Sequence, residues 1–251
     1  MTTLKTLKTL FTLSRIFLHL ILGIFLASLY AHGSVQTGTR AARLFCWWQR
    51  RFNSLFHIQY QTHGHINTTP TLFIANHISW FDIPAIGASL PVRFLSKQEV
   101  SEWPLIGWLA KKVGTLFIQR GRKGAAEQSI YDITHALQQG DNVIIFPEGT
   151  TTDGTAIKKF HSRLFQAAVN AGADVQAIAI TYPTKNGIHP AAAYIDDMSM
   201  MESINNFIHA KDLQVDVHFL KTFSSQQYNR DELTALCAKQ IETYIKTHHH
   251  H

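Results

Sequence analysis

From Thr71 onward the chain alternates short apolar runs with stretches of helical spacing, and this alternation sets the expected architecture. Thr71 to Ala75, Val92 to Leu95, Thr115 to Ile118, Asn142 to Phe146, Val175 to Tyr182 and Val215 to Leu220 are short apolar runs rich in β-branched and aromatic residues, which predicts strands. Between them, helices are predicted around 84 to 89, 104 to 112, 124 to 139, 158 to 171 and 231 to 246. Strands alternating with helices give an α/β domain with a mainly parallel or mixed sheet flanked by helices. In such sheets ligands bind beyond the carboxyl ends of the strands.

The first 60 residues follow a different pattern. An apolar run from Ile16 to Ala31 is interrupted only by His19, Gly23 and Ser28, and Lys5, Lys8 and Arg15 precede it. The run falls short of the ~20 residues a spanning helix needs, and counting back to Leu10 reaches that length only with Arg15 inside. A marginal span, an interfacial anchor and an uncleaved signal sequence all fit. After a Gly33 to Gly38 loop, Ala41, Leu44, Phe45, Trp48, Phe52, Leu55 and Phe56 line one helical face, accompanied by Arg40, Arg43, Arg50 and Arg51. A basic amphipathic helix with tryptophans suits a membrane interface; the alternative is a helix docked on the protein's own core with its arginines solvated. Positive charge flanks the apolar run on both sides, so a two-helix hairpin embedded in one leaflet, both ends cytoplasmic, is the preferred topology.

The expected organisation is therefore an N-terminal pair of membrane-anchoring helices over 1–60 and an α/β domain over 61–247. The link between them contains His63-Gly64-His65 and the turn-rich Asn67 to Pro70. The histidines at 248–251 read as a purification-tag remnant.

Composition narrows the partners. A chain of 251 residues with 45% hydrophobic content can build a large core. The formal charge is +6, yet only 16% of residues are charged, which suits an anionic membrane surface or an acidic partner protein and argues against nucleic acid. Cys46 and Cys237 have no companions at metal-ligand spacing, and His63 and His65 have no carboxylate or cysteine cluster beside them in the sequence, so no metal is expected. A GxSxG nucleophile elbow is absent from the sequence.

Chemistry concentrates in Asn76-His-Ile-Ser-Trp-Phe-Asp82, just after the apolar run ending at Ala75. An ordinary imidazole titrates at about 6.5, so His77 can accept a proton near neutral pH, and Asp82 could hold its other ring nitrogen. Residues five apart do not share a helical face. His77 is therefore expected in the turn leaving a strand and Asp82 near the start of the next helix, with Pro84 tolerated in its first turn. Phe146-Pro-Glu-Gly-Thr150 follows a second strand, and Gly114-Thr-Leu-Phe-Ile-Gln-Arg-Gly121 ends a third with Arg120, whose planar fork suits phosphate or carboxylate.

In this order and spacing the three blocks resemble the glycerolipid acyltransferase family: NHISWFD matches its NHxxxxD block, GTLFIQRG its second and FPEGT its third, with Val175 to Pro183 similar to a fourth, hydrophobic strand. The resemblance covers residues 65 to 185 or so. It implies that His77 is the general base toward an acceptor hydroxyl and Asp82 its orienter. The acyl donor would be acyl-CoA or acyl-carrier protein, with no covalent acyl-enzyme, metal or other cofactor. It also implies a substrate-binding set of Asn76, Lys97, Arg120, Glu148, Gly149 and Thr150, with Lys97 associated with the acceptor's phosphate. The first expectation for the acceptor is 1-acyl-sn-glycerol-3-phosphate, giving phosphatidic acid, at the cytoplasmic face of a bacterial inner membrane. Thr151 and Thr152 stand where the family often has a phosphate-contacting Arg, and Gln176-Ala177 where proline is common. Both features, with the stretch from Lys158, are closer to relatives that acylate lyso-ornithine lipid or another lysolipid. A catalytically silent lipid-binding protein is the expectation from a different class, and the presence of both His77 and Asp82 counts against it.

Overall fold

The computed structural model describes residues 2–119, 121–185 and 187–248. Two helices come first, α1 (Thr2–Tyr30) and α2 (Arg40–Ser54), then strands β1 (Gln59–Gly64) and β2 (Thr71–Ala75). Helix α3 (Asp82–Gly87) leads to β3 (Arg93–Lys97), α4 (Ile106–Lys112), β4 (Leu116–Ile118), α5 (Ala125–Gln138) and β5 (Val143–Ile145). The remainder is α6 (Gln166–Ala171), β6 (Asp174–Thr181), a small hairpin of β7 (Pro183–Thr184) and β8 (Gly187–Ile188), α7 (Met200–His209), β9 (Gln214–Ser224) and α8 (Arg230–His248).

Seven strands form one sheet in the order β1-β9-β6-β2-β5-β3-β4. The five from β6 to β4 run parallel, whereas β9 pairs antiparallel with β6 and carries β1 parallel beside it, so the sheet is mixed. All five residues of β2 are buried, as expected for a central strand covered on both faces. Alternation divides them: Phe73 and Ala75 join the core shared with α2, α3 and α7, while Leu72 and Ile74 join the core shared with α5, α6 and α8.

The expected strands appear within one or two residues at most ends, with β9 running on to Ser224. Three differences matter. The link at 60–70 contains β1, whose side chains are mostly exposed and polar; as an edge strand with little to bury, it carries no alternating pattern. The helix expected over 158–171 shrinks to a 3₁₀ turn at Ser162–Phe165 followed by α6. Residues 158–161 are instead outside any helix: Lys158 N donates to Glu148 Oε2 at 2.7 Å and His161 N to the Pro147 carbonyl at 3.0 Å. Helix α7 was not anticipated, although Ser199 and Glu202 form an S-x-x-E cap in which the Ser199 hydroxyl accepts from Glu202 N at 3.2 Å.

The N-terminal helices are packed onto this sheet. Helix α2 buries Ala42, Phe45, Cys46, Gln49 and Asn53, and Asn53 Nδ2 donates to the Pro84 carbonyl of α3 at 3.2 Å. Its arginines stay exposed, so the docked-helix alternative describes this face. The side carrying Trp48 and Phe52 meets α1. Trp48 Nε1 donates to the His19 carbonyl, His19 Nε2 contacts the Trp48 carbonyl, both at 3.1 Å, and the two rings stack. Gly23 permits this approach: a Cβ there would sit 2.7 Å from the indole nitrogen. Helix α1 also touches α7 through Thr9 and His209 at 2.9 Å, and its C-terminal exit is tied to α4 by Gly33 N and the Lys112 carbonyl at 3.0 Å.

Candidate active site

His77 lies in the loop leaving β2 and Asp82 opens α3, as the five-residue spacing required. Their side chains meet, with His77 Nδ1 2.7 Å from Asp82 Oδ2. The same carboxylate oxygen accepts from Ile78 N at 2.8 Å and Ser79 N at 3.0 Å, which folds the intervening loop tightly around it. Oδ1 accepts from the Tyr182 hydroxyl at 2.7 Å. Asp82 and Tyr182 are both fully buried. Burial, and then the negative charge of Asp82, holds the Tyr182 phenol well above its ordinary range, so it is a neutral donor throughout the physiological span.

With Nδ1 donating to the carboxylate, the free lone pair of a neutral His77 is on Nε2. The ring is 19% exposed and stacks on Phe146 at 4.0 Å between centroids. The site can thus take a proton at Nε2, while the buried carboxylate compensates the positive charge that appears on the ring.

Glu148 is brought to the same place in a different role. Its carboxylate is turned inward, accepting from His77 N at 2.9 Å through Oε1 and from Lys158 N through Oε2. It clamps the β2 and β5 loops together. Burial pushes it above the usual carboxylate range, against the two N–H bonds and the imidazole that draw it down. Asn76 is also buried. It exchanges two hydrogen bonds with the Ile180 backbone, Nδ2 to O at 3.0 Å and N to Oδ1 at 2.8 Å, fixing the end of β2 against β6. Gly149 occupies left-handed backbone at φ 72°, and its N–H closes a turn on the Phe146 carbonyl at 3.0 Å. Of the predicted substrate-binding residues these three therefore shape the site, whereas Thr150 is exposed beside it.

Lys97 is exposed at the carboxyl end of β3, two strands from β2 across β5, which places it about 10 Å away laterally on the same edge of the sheet. Arg120 lies outside the described residues, as do the histidines at 249–251. Thr151 Oγ1 donates to the Tyr194 carbonyl and Thr152 N to the His77 carbonyl at 2.8 Å, so the positions after FPEGT brace the site with neutral groups.

Two contributors escaped the sequence. Tyr182 is one; its signal was an aromatic with a polar tip at the carboxyl end of a buried strand. The other is α7, whose Ser203 accepts from Trp80 Nε1 at 3.0 Å and whose Phe207 packs on Trp80, Phe81, Phe56 and Tyr182. Fully buried Phe81 and Phe207 each contribute about 2–3 kcal/mol, enough to fix this loop on its neighbours.

A family model described as Acyltransferase matches residues 57–181, the segment that holds β1 to β6 and the blocks NHISWFD, GTLFIQRG and FPEGT. A lyso-ornithine lipid O-acyltransferase from Pseudomonas aeruginosa is 38% identical over 205 residues, covering 81% of this chain and 77% of that protein. A 1-acyl-sn-glycerol-3-phosphate acyltransferase from Neisseria gonorrhoeae is 36% identical over 149 residues, 59% of this chain and 58% of that one. The crystal structure of the 1-acyl-sn-glycerophosphate (LPA) acyltransferase PlsC from Thermotoga maritima superposes with a TM-score of 0.70 over 98% of this chain and 96% of its own, at 17% identity, so the fold is shared from α1 to α8. Identity of 38% to a relative covered over 77% of its length, together with the family model across the sheet that carries His77, makes the chain a member of the acyltransferase family.

Proposed function

We propose that the chain transfers an acyl group from a thioester, acyl-CoA or acyl-carrier protein, to the free hydroxyl of a lysolipid, with His77 as the base. The observation that carries this is the 2.7 Å contact of Nδ1 with a buried carboxylate already holding three other donors. The hydroxyl proton passes to Nε2 as the oxygen attacks the thioester carbonyl. The carbon–sulfur bond then breaks, and the thiolate takes that proton from the imidazolium to leave as a thiol. A thioester is already activated, so positioning and one base suffice.

The acceptor is a choice between two chemistries. Lys97 on the site edge supports the phosphate of 1-acyl-sn-glycerol-3-phosphate. Thr151, whose hydroxyl is spent on the Tyr194 carbonyl, favours a phosphate-free acceptor such as lyso-ornithine lipid, in keeping with the relative that matches four-fifths of the chain. Purified protein in detergent, given labelled acyl-CoA or acyl-carrier protein with each lysolipid in parallel, tests this. Transfer to either acceptor identifies the substrate, and transfer to neither overturns the proposal.

The same reading places the site on a bilayer surface. Helix α1 is the one described helix long and apolar enough to cross a membrane, with a candidate span of 28 residues, Thr3–Tyr30. Yet it is held by α7 near its start, by α2 at its middle and by α4 at its exit. It lies along the domain with Leu7, Phe11, Leu18 and Phe25 exposed, and Trp103, Ile106 and Trp108 of the α4 region are exposed as well. This geometry supports an in-plane anchor at one leaflet. Replacing those four α1 residues by Ser should shift the protein from sedimenting with vesicles to the supernatant while leaving its unfolding temperature within a few degrees.

A further inference from the structure

On the opposite side of the sheet from β3 and β4, the β1–β9 pair gathers three metal-ligating side chains that the acyl-transfer site does not use. His63 and His218 are in-register partners on the parallel strands, and Asp216 is two residues before His218, on the same face of β9. One nitrogen of each imidazole and one oxygen of the carboxylate lie within 4.8 Å of one another. We propose that His63, Asp216 and His218 form a site for a divalent transition-metal ion of the zinc type, which staples the edge strand β1 to β9.

The donor set selects the ion. Two imidazoles and one carboxylate suit Zn²⁺, and also Co²⁺, Ni²⁺ or Cu²⁺, whereas Mg²⁺ and Ca²⁺ require an oxygen shell. Ligand bonds of about 2.0–2.2 Å place donors roughly 3.5 Å apart around a tetrahedral ion, so the cluster must close by about 1 Å. His63 can supply that movement. It is exposed, and its ring lies flat on His218 at 4.2 Å between centroids and 6° between planes, a stack that one turn of the side chain opens.

The other two ligands are already held from behind. Gln214 Nε2 donates to both oxygens of Asp216, at 2.8 and 3.0 Å. The Tyr244 hydroxyl of α8 lies 2.7–2.8 Å from the two ring nitrogens of His218, so it can orient the ring while one nitrogen faces the ion. Asp216, Gln214 and Tyr244 also border a cleft of about 420 Å³ with Thr181 and Pro183, where water can complete the coordination.

The test uses the full chain with the histidines at 248–251 replaced by Ser, so that this run cannot itself hold metal. Calorimetric titration with Zn²⁺ at pH 7.5 should give one ion per chain, with a saturable rise in unfolding temperature that Mg²⁺ does not reproduce. His63→Ala, at an exposed edge position, should weaken Zn²⁺ binding at least about 100-fold, and Tyr244→Phe about tenfold. Acyl transfer by chelator-treated protein should be unchanged, since the site lies outside the His77 machinery. No saturable binding, or equal binding by His63→Ala, would overturn the proposal.

Discussion

Two histidine–carboxylate clusters sit on one sheet, and they are prepared for opposite events. Around Asp82 four donors are fixed at 2.7–3.0 Å, three of them from the same loop, and the imidazole is gripped between the carboxylate and Phe146. Around Asp216 the fixed donor among the described residues is a single Gln214 amide, and His63 is exposed and can turn. The first arrangement can move a proton without moving an atom of its frame, which is what a positioned base requires. The second can gather around an incoming ion because one of its ligands, His63, is not yet committed. The residue types are the same, and the number of fixed donors on the carboxylate separates the two roles.

The comparison breaks most visibly at His77. Replacing it by Ala should lower kcat/KM by about 10²–10⁴-fold, while unfolding free energy changes by no more than about 1–2 kcal/mol. Near-normal turnover would remove proton transfer at Nε2 from the mechanism. Asp82→Asn should follow at about 100-fold or more in kcat, together with a stability loss of about 2–3 kcal/mol, because an amide cannot accept from all four donors. Denaturant melts and initial rates on the same preparation separate those two losses, and a variant that keeps both would show the carboxylate to be dispensable.

Tyr182→Phe sharpens the point. It keeps the ring's volume and deletes one donor of four, so a fall of about tenfold in kcat with KM unchanged is expected, with about 1–2 kcal/mol of stability. Unchanged kcat would mean that the three loop donors orient Asp82 alone.

The difference between the clusters also explains what the sequence could reveal. His77 and Asp82 are five residues apart, so a loop and a helix start bring them together, and the pattern is visible locally. The central strands were legible for the same reason, since each must bury both faces. His63 and His218 meet only because β1 pairs with β9 across the whole domain, and β1 is an edge strand with no apolar alternation. Asn76 and Glu148 are expected at the site from the sequence, but their inward orientation depends on Ile180 and Lys158, contacts set by the packing of separate strands and loops. The 158–161 segment is predicted helical because its local pattern is helical; two backbone N–H groups bonded to the FPEGT loop, one through the Glu148 carboxylate and one through the Pro147 carbonyl, outweigh that preference.

The smallest expected effect tests the looser cluster without metal. An unfolded histidine titrates at about 6.5, and His218 in the folded chain at about 4, with His63 on β1 and His248 on α8 among the groups facing it and Asp216 and Tyr244 alongside. A depressed imidazole means that the unfolded chain binds the proton more readily. The stability this contributes is present above pH 6.5 and is lost as pH falls toward 4. Solvent screening of the partly exposed ring reduces the full linkage value to of order 1 kcal/mol. Chemical denaturation of metal-free protein between pH 7 and 4.5 should therefore show a steeper loss for the parent chain than for His218→Asn. Parallel curves would mean that His218 protonates as easily in the folded protein as in water. Its ring would then be open to solvent rather than held by Tyr244, and the preorganised half of the β1–β9 cluster would lose its support.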